Sequence, residues 1–271
     1  MSTAPTLTAT GAPVPEAVPT PAALFDLSGS VVLVTGASGG LGARFASVAA
    51  AAGARVVLAA RRAERLAEVA ADCPGALAVP CDVTSAADRA RLVDTAVEHF
   101  GRLDVLVNNA GAARVVPATE EDPADFASLV DLNLSSVFAL TQLAGARMLA
   151  QGSGSVVNIA SVYGMVASGS LPQAAYAASK GGLVNLTREL AAQWARRGVR
   201  VNAICPGWFH SEMTTGMLDD ASGSTWVNRR TPMGRSGSAG ELDGALLFLA
   251  SAASSYVTGA VLPVDGGYLA I

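Results

Sequence analysis

The stretch "VVLVTGASGGLG", Val31–Gly42, decides the reading of this chain. Its first five residues are Val, Leu and Thr, a short apolar run of strand length. Gly36, Gly40 and Gly42 then arrive at the spacing G-x-x-x-G-x-G, and an Ala-rich helical pattern follows over 40–52. Strand, glycine turn and helix in that order open a βαβ unit. Glycines let the chain turn sharply and let backbone N–H groups approach a pyrophosphate at a helix N-terminus. The spacing departs from the usual G-x-G-x-x-G, so the dinucleotide reading rests on the strand-before, helix-after context as much as on the glycines.

Working outward, the same alternation repeats. Continuously apolar runs predict strands at 31–35, 55–60, 76–80, 105–109, 155–160, 200–204 and 260–264. Ala/Leu-rich segments between them predict helices at 40–52, 63–71, 85–100, 125–150, 173–197 and 239–251. Strands without polar alternation fit a sheet covered on both faces, and parallel neighbours need crossover connections. The expectation is an α/β fold: a doubly wound, seven-stranded parallel sheet of Rossmann type with helices on both faces. One domain is expected over 26–271. Residues 1–25, rich in Pro, Thr and Ala, are expected to form a mobile extension. The region 206–238 reads as one long irregular insertion, and such insertions often act as lids. It carries Trp208, Phe209, Met213, Met217, Trp226 and Met233, which suit closure over an apolar substrate.

The composition narrows the function. The chain has 271 residues, 51% of them apolar, and a formal net charge of −4. No Lys/Arg cluster marks a nucleic-acid footprint. Cys73, Cys81 and Cys205 have no metal-binding spacing and read as free thiols, and two histidines are too few for a His-based metal site. The N-terminus lacks the basic and apolar regions of a secretory signal, and Gly53 and Arg55 interrupt the apolar stretch around 45–60. A cytoplasmic protein without metal, membrane or nucleic-acid partner is expected.

The motifs come in the order of a known family. From the glycine turn onward the chain resembles the short-chain dehydrogenase/reductases in their compact single-domain form, over residues 27–268. The resemblance implies that Gly36, Ser38, Gly39, Gly40, Leu41 and Gly42 cradle the cofactor. It implies that Asp82 and Val83 of "CDVT" meet the adenine, and that Asn109, Ala110 and Gly111 of "NNAG" shape the pocket around the adenosine ribose. Pro206 and Gly207, with Phe209 just beyond, would lie beside the nicotinamide. Asn133 of "DLNL" would be a structural and proton-relay asparagine.

The single lysine among 18 basic residues, Lys180, stands four residues after Tyr176 in "AAYAASKGGL". On a helix the two share one face. A carbonyl being reduced needs a proton and stabilisation of negative charge at its oxygen. A phenol serves as the acid when a nearby ammonium lowers its pKa from about 10. A compact ammonium suits that place and a planar guanidinium does not. Ser161 follows the fifth strand, at the carboxyl end of the sheet, where doubly wound folds bind ligands. By resemblance Ser161 holds the carbonyl oxygen, Tyr176 is the acid/base, and Lys180 also grips the nicotinamide ribose. The Ser–Tyr interval is slightly longer than the family's usual one, and the added residues fall on the expected substrate side, where Tyr163 reads as a pocket wall.

The second strand ends at Ala60, followed by Arg61 and Arg62. An NAD enzyme would place a carboxylate at that end. Two cations before a helix N-terminus suit an anion between them, so NADP(H) is expected, with NAD(H) possible. The expected function is NADP(H)-dependent interconversion of a carbonyl and a secondary alcohol on a small, largely apolar substrate. The alternatives are an NAD-dependent sugar or polyol dehydrogenase and a 3-oxoacyl-carrier-protein reductase, with a non-enzymatic dinucleotide sensor behind them. The family's assembly implies a homotetramer.

Overall fold

All five residues of β1 (Val31–Thr35) are buried, which a strand achieves only when both faces of its sheet are covered. Successive side chains point to opposite faces. Val32 and Val34 pack with Phe45, Leu246 and Leu249 on one side, and Val31 and Leu33 pack with Leu92, Met148 and Leu190 on the other. The computed structural model describes residues 18–169 and 171–271. Before β1 lies a short helix α1 (Pro21–Phe25). The chain then continues through α2 (Gly40–Ala51), β2 (Arg55–Ala60), α3 (Ala63–Ala71), β3 (Leu77–Pro80), α4 (Ala86–Phe100) and β4 (Val105–Asn108). Next come α5 (Pro123–Val130), α6 (Ser136–Gln151), β5 (Gly154–Ile159), α7 (Ala174–Trp194) and β6 (Val199–Pro206). The last elements are α8 (Thr215–Leu218), α9 (Ala221–Arg230), α10 (Asp243–Ala250) and β7 (Val261–Val264).

The sheet has seven strands in the order β3-β2-β1-β4-β5-β6-β7, every neighbouring pair parallel. Strand order reverses between β1 and β4, and the crevice outside their carboxyl ends is where such sheets take ligands. Pro263 lies in the edge strand β7, where its missing N–H costs no ladder bond on the open side. The doubly wound expectation holds.

Two expectations need correction, and a third, the N-terminal extension, is described only from residue 18, where the Thr20 side chain caps α1 by accepting the Ala23 N–H at 3.2 Å. Residues 1–17 of that expected extension lie outside the described residues. The helix expected over 125–150 is two helices joined by a π-helical turn, Asp131–Ser135. Such wide turns accommodate a side chain that bonds elsewhere than along its own helix. Here that side chain is Asn133. The region 206–238 is not irregular throughout, because it contains α8 and α9. Asp220 caps α9 by accepting the Gly223 N–H at 2.8 Å.

The run Pro123–Gln151, of 29 residues with mean hydropathy 1.3, is long and apolar enough to cross a bilayer by length and composition alone. Its inner face instead places Leu140, Ala144 and Met148 in the core beneath the sheet. It serves as a core helix.

Candidate active site

A cleft of about 730 Å³ opens at the carboxyl ends of the strands. Its floor is the glycine turn. Gly36 and Gly40 have φ of 65° and 54°, the left-handed region that favours glycine. No side chain caps α2, so its leading N–H groups are left to a ligand. Gly42 does not line the cleft. A Cβ there would lie 2.2 Å from the Gly36 carbonyl oxygen, so this glycine lets the helix pack against its own turn. Thr35, which sequence reasoning passed over, braces the turn: its Oγ1 accepts the Asn109 and Ala110 N–H groups, each at 3.0 Å. Asn109 Nδ2 donates to the Thr35 carbonyl at 2.9 Å, which spends its amide on the turn itself.

Ala60, Arg61 and Arg62 border one end of the cleft with Asp82 and Val83. Arg62 is the N-cap residue of α3 and donates to Ser38 Oγ from Nε at 3.2 Å and from Nη2 at 3.1 Å. Among the described residues no carboxylate lies within ion-pair distance of Arg61. The Thr84 N–H and hydroxyl, with the field of Arg61, hold the Asp82 carboxyl below its usual range.

At the other end, β5 delivers Ser161 and the first turn of α7 delivers Tyr176. Both are buried and line the cleft, and Ser161 Oγ accepts the Tyr163 N–H at 3.2 Å. Burial pushes the Tyr176 phenol above the ordinary tyrosine range. Lys180, one turn on, has its ammonium 5.8 Å from the Tyr176 ring and donates to the Ile159 carbonyl at 2.7 Å. Burial pulls its pKa down to about 8. The ammonium is turned to a backbone oxygen, and burial is the largest influence on both groups.

Asn133 lies off the cleft wall and is fully buried. Its Oδ1 accepts the Ala112 N–H at 3.0 Å, and its Nδ2 donates to the Ala112 carbonyl at 2.9 Å and to Ser179 Oγ at 3.1 Å. It ties the loop after β4 to α7 and so acts here as a positioning residue.

Behind Tyr176 an aromatic cluster packs outside the residues that line the cleft. Tyr163 and Tyr268 pair through their hydroxyls at 3.1 Å, and Tyr163, Trp208 and Trp226 meet edge to face in sequence. Gln173, 5% exposed and one turn ahead of Tyr176, has no partner for its Nε2 among the described residues. Phe209 is a core residue as well as a lining one, packed against Gly237. Of the apolar set expected to form a lid, Phe209 and Met213 border the cleft, while Met233 is exposed away from it.

The cleft thus brings together Gly36, Ser38, Gly39, Gly40, Leu41, Arg61, Arg62, Asp82, Val83, Asn109, Ala110, Gly111, Ser161, Tyr176, Lys180, Pro206, Gly207 and Phe209. Sequence reasoning missed Ser211, Glu212 and Thr214, which reach the glycine end from the segment after β6. Their one signal is a lone carboxylate, Glu212, between His210-Ser211 and Thr214-Thr215.

A family described as Enoyl-(Acyl carrier protein) reductase matches residues 36–269. The chain is 42% identical over 248 residues to galactitol 2-dehydrogenase (L-tagatose-forming) of Cereibacter sphaeroides, covering 90% of this chain and 97% of that one. A putative short-chain alcohol dehydrogenase from Sinorhizobium meliloti superposes with a TM-score of 0.87 at 40% identity, over 91% of this chain and 99% of that one. A gluconate 5-dehydrogenase from Burkholderia cenocepacia, solved with NADP and tartrate, gives 0.88 at 37% identity, over 92% and 99%. With this sheet order and this cleft, the chain belongs to the short-chain dehydrogenase/reductase family, enzymes that interconvert alcohols and carbonyls.

Proposed function

We propose that this protein is an NADP(H)-dependent dehydrogenase/reductase acting on a secondary alcohol or ketone of a small polyhydroxylated compound. One observation carries the reading: Ser161, Tyr176 and Lys180 share a cleft with the glycine turn and Arg61. The uncapped α2 N-terminus and the unpaired Arg61 fit a dinucleotide bearing a 2′-phosphate. When bound, the nicotinamide supplies or accepts the hydride. The chain's own groups handle the oxygen. Ser161 donates to it, Tyr176 gives or takes the proton, and Lys180 holds positive charge below the phenol. Asn133 keeps the loop after β4 fixed against α7, and water linked through it is our route for proton exchange.

The substrate class rests on Gln173 and on the relatives. A buried amide donor without a partner costs about 1–3 kcal/mol, and Gln173, one turn ahead of Tyr176 though not itself lining the cleft, would gain an acceptor from a polyhydroxylated substrate that reaches it. The similar proteins act on galactitol or gluconate by name. A compact apolar ketone is the second reading, favoured by the edge-to-face series Tyr163–Trp208–Trp226. Initial rates over polyols, aldonates, cyclic ketones and acyl thioesters, with both nicotinamide cofactors, test the proposal. The highest kcat/KM is expected on a polyol or aldonate with NADP(H). A preference for cyclic ketones would transfer the assignment to the second reading.

We propose further that the outer faces of α5, α6 and α7 join subunits into a homotetramer, since Phe126 and Phe138 stand exposed there. Light scattering at micromolar concentration should give four times the chain mass, and a monomer would remove this assignment.

A further inference from the structure

The segment after β6 crosses the cleft and touches the glycine turn. Ser211 lies 3.7 Å from where a Cβ on Gly40 would be, and Glu212 Oε1 lies 3.0 Å from the corresponding point on Gly39. The same oxygen accepts from Arg62 Nη2 at 3.1 Å, while that nitrogen also donates to Ser38. The placement of Glu212 is ordered. The Ser211 N–H donates to Thr214 Oγ1 at 3.0 Å, and the Thr214 and Thr215 N–H groups donate back to the Ser211 carbonyl at 3.0 and 2.9 Å. A carboxylate therefore sits on the arginine and serine that border the end of the cleft where β2 stops.

We infer that Glu212 is a specificity-determining counter-anion that occupies the 2′-phosphate subsite until NADP(H) displaces it. The inference rests on the proposed NADP(H) reading. An anion bound between Arg61, Arg62 and Ser38 must break the Glu212–Arg62 contact or accept a like charge beside it. Both costs fall on NADP(H), and NAD(H) meets neither because it brings no phosphate to this end. Displacement also frees the Ser211–Thr215 turn from the glycine turn, which couples cofactor binding to movement of the segment that bears Trp208 and Trp226. The pair is half-exposed, with side chains 49% and 66% accessible, so its effect is small and salt-sensitive.

Direct titration of the cofactor-free protein with NADPH and with NADH, followed by ligand fluorescence, tests this. Glu212→Gln keeps the side-chain shape and removes the charge. The Kd for NADPH should fall roughly two- to fivefold while that for NADH stays the same. In an Arg62→Ala background the same substitution should give NADPH a smaller gain, since only the like charge is then removed, and leave NADH unchanged. An unchanged NADPH Kd would overturn the inference. So would a weaker NADH complex, because Glu212 would then be an acceptor for ribose hydroxyls. Wild-type protein that binds NADPH no more tightly than NADH would instead refute the cofactor reading, a failure distinct from the first.

Discussion

Tyr176→Phe is expected to lower turnover by about 10²- to 10⁴-fold in both directions while leaving the fold and cofactor affinity intact. The substitution removes one oxygen and keeps the ring that packs with Leu129, Val162 and Tyr163. Among the described residues lining the cleft, Tyr176 carries the one phenol. Tyr163, the nearest phenol in sequence, is pushed well above its usual pKa by burial and by its hydroxyl partner Tyr268. Lys180→Arg should fail almost as badly despite keeping the charge. The ammonium is buried, bound to the Ile159 carbonyl, and 3.6 Å from where a side chain on Gly111 would begin. A planar fork has no room there. Steady-state rates at saturating cofactor, with melting curves as the folding control, measure both. Near-full activity of the arginine variant would contradict the point-charge role.

Arg61→Ala is expected to weaken NADPH by roughly ten- to a hundredfold, the worth of a charge-assisted hydrogen bond of about 1.5–3 kcal/mol, with little change for NADH. Arg61 carries this effect because, among the described residues, it forms no ion pair, whereas Arg62 shares its guanidinium with Ser38 and Glu212. Ala60→Asp approaches the same preference from the other side. Ala60 ends β2 on the cleft wall, and a carboxylate there accepts from the ribose hydroxyls and repels a 2′-phosphate. Binding titrations should show both variants losing NADPH affinity, with NADH unchanged in Arg61→Ala and strengthened in Ala60→Asp. Equal losses for both cofactors in Arg61→Ala would place that residue outside the phosphate subsite.

The fold was legible because its signal is periodic. Continuous apolar runs of strand length recur between amphipathic helices, and a buried parallel sheet is the arrangement that uses them. What periodicity could not convey was breakage inside an apolar run. The π-helical turn at Asp131–Ser135 keeps the hydrophobic pattern of α5 and α6 nearly continuous, and only the remote partners of Asn133 explain why the helix widens there. The segment after β6 was opaque for the same reason. Phe209 looks like a lid residue in sequence but packs into the core against Gly237, a contact that depends on a pairing 28 residues away. At the site, residues fixed by local spacing were readable: the glycine turn, and Tyr176 with Lys180 on one helix face. Thr35, Ser211 and Glu212 were not, since each acquires its place through a tertiary contact.

The most direct test of the central claim follows the hydride itself. NADPH deuterated at its transferable position is incubated with wild-type protein and a ketose or keto-aldonate panel, and the products are analysed by mass spectrometry. The expected result is deuterium on the carbinol carbon of at least one product with wild-type protein. No label is expected with Tyr176→Phe, which still binds NADPH. Wild-type protein saturated with NADPH that labels no member of the panel, or a phenylalanine variant that labels as well as wild type, would contradict the account.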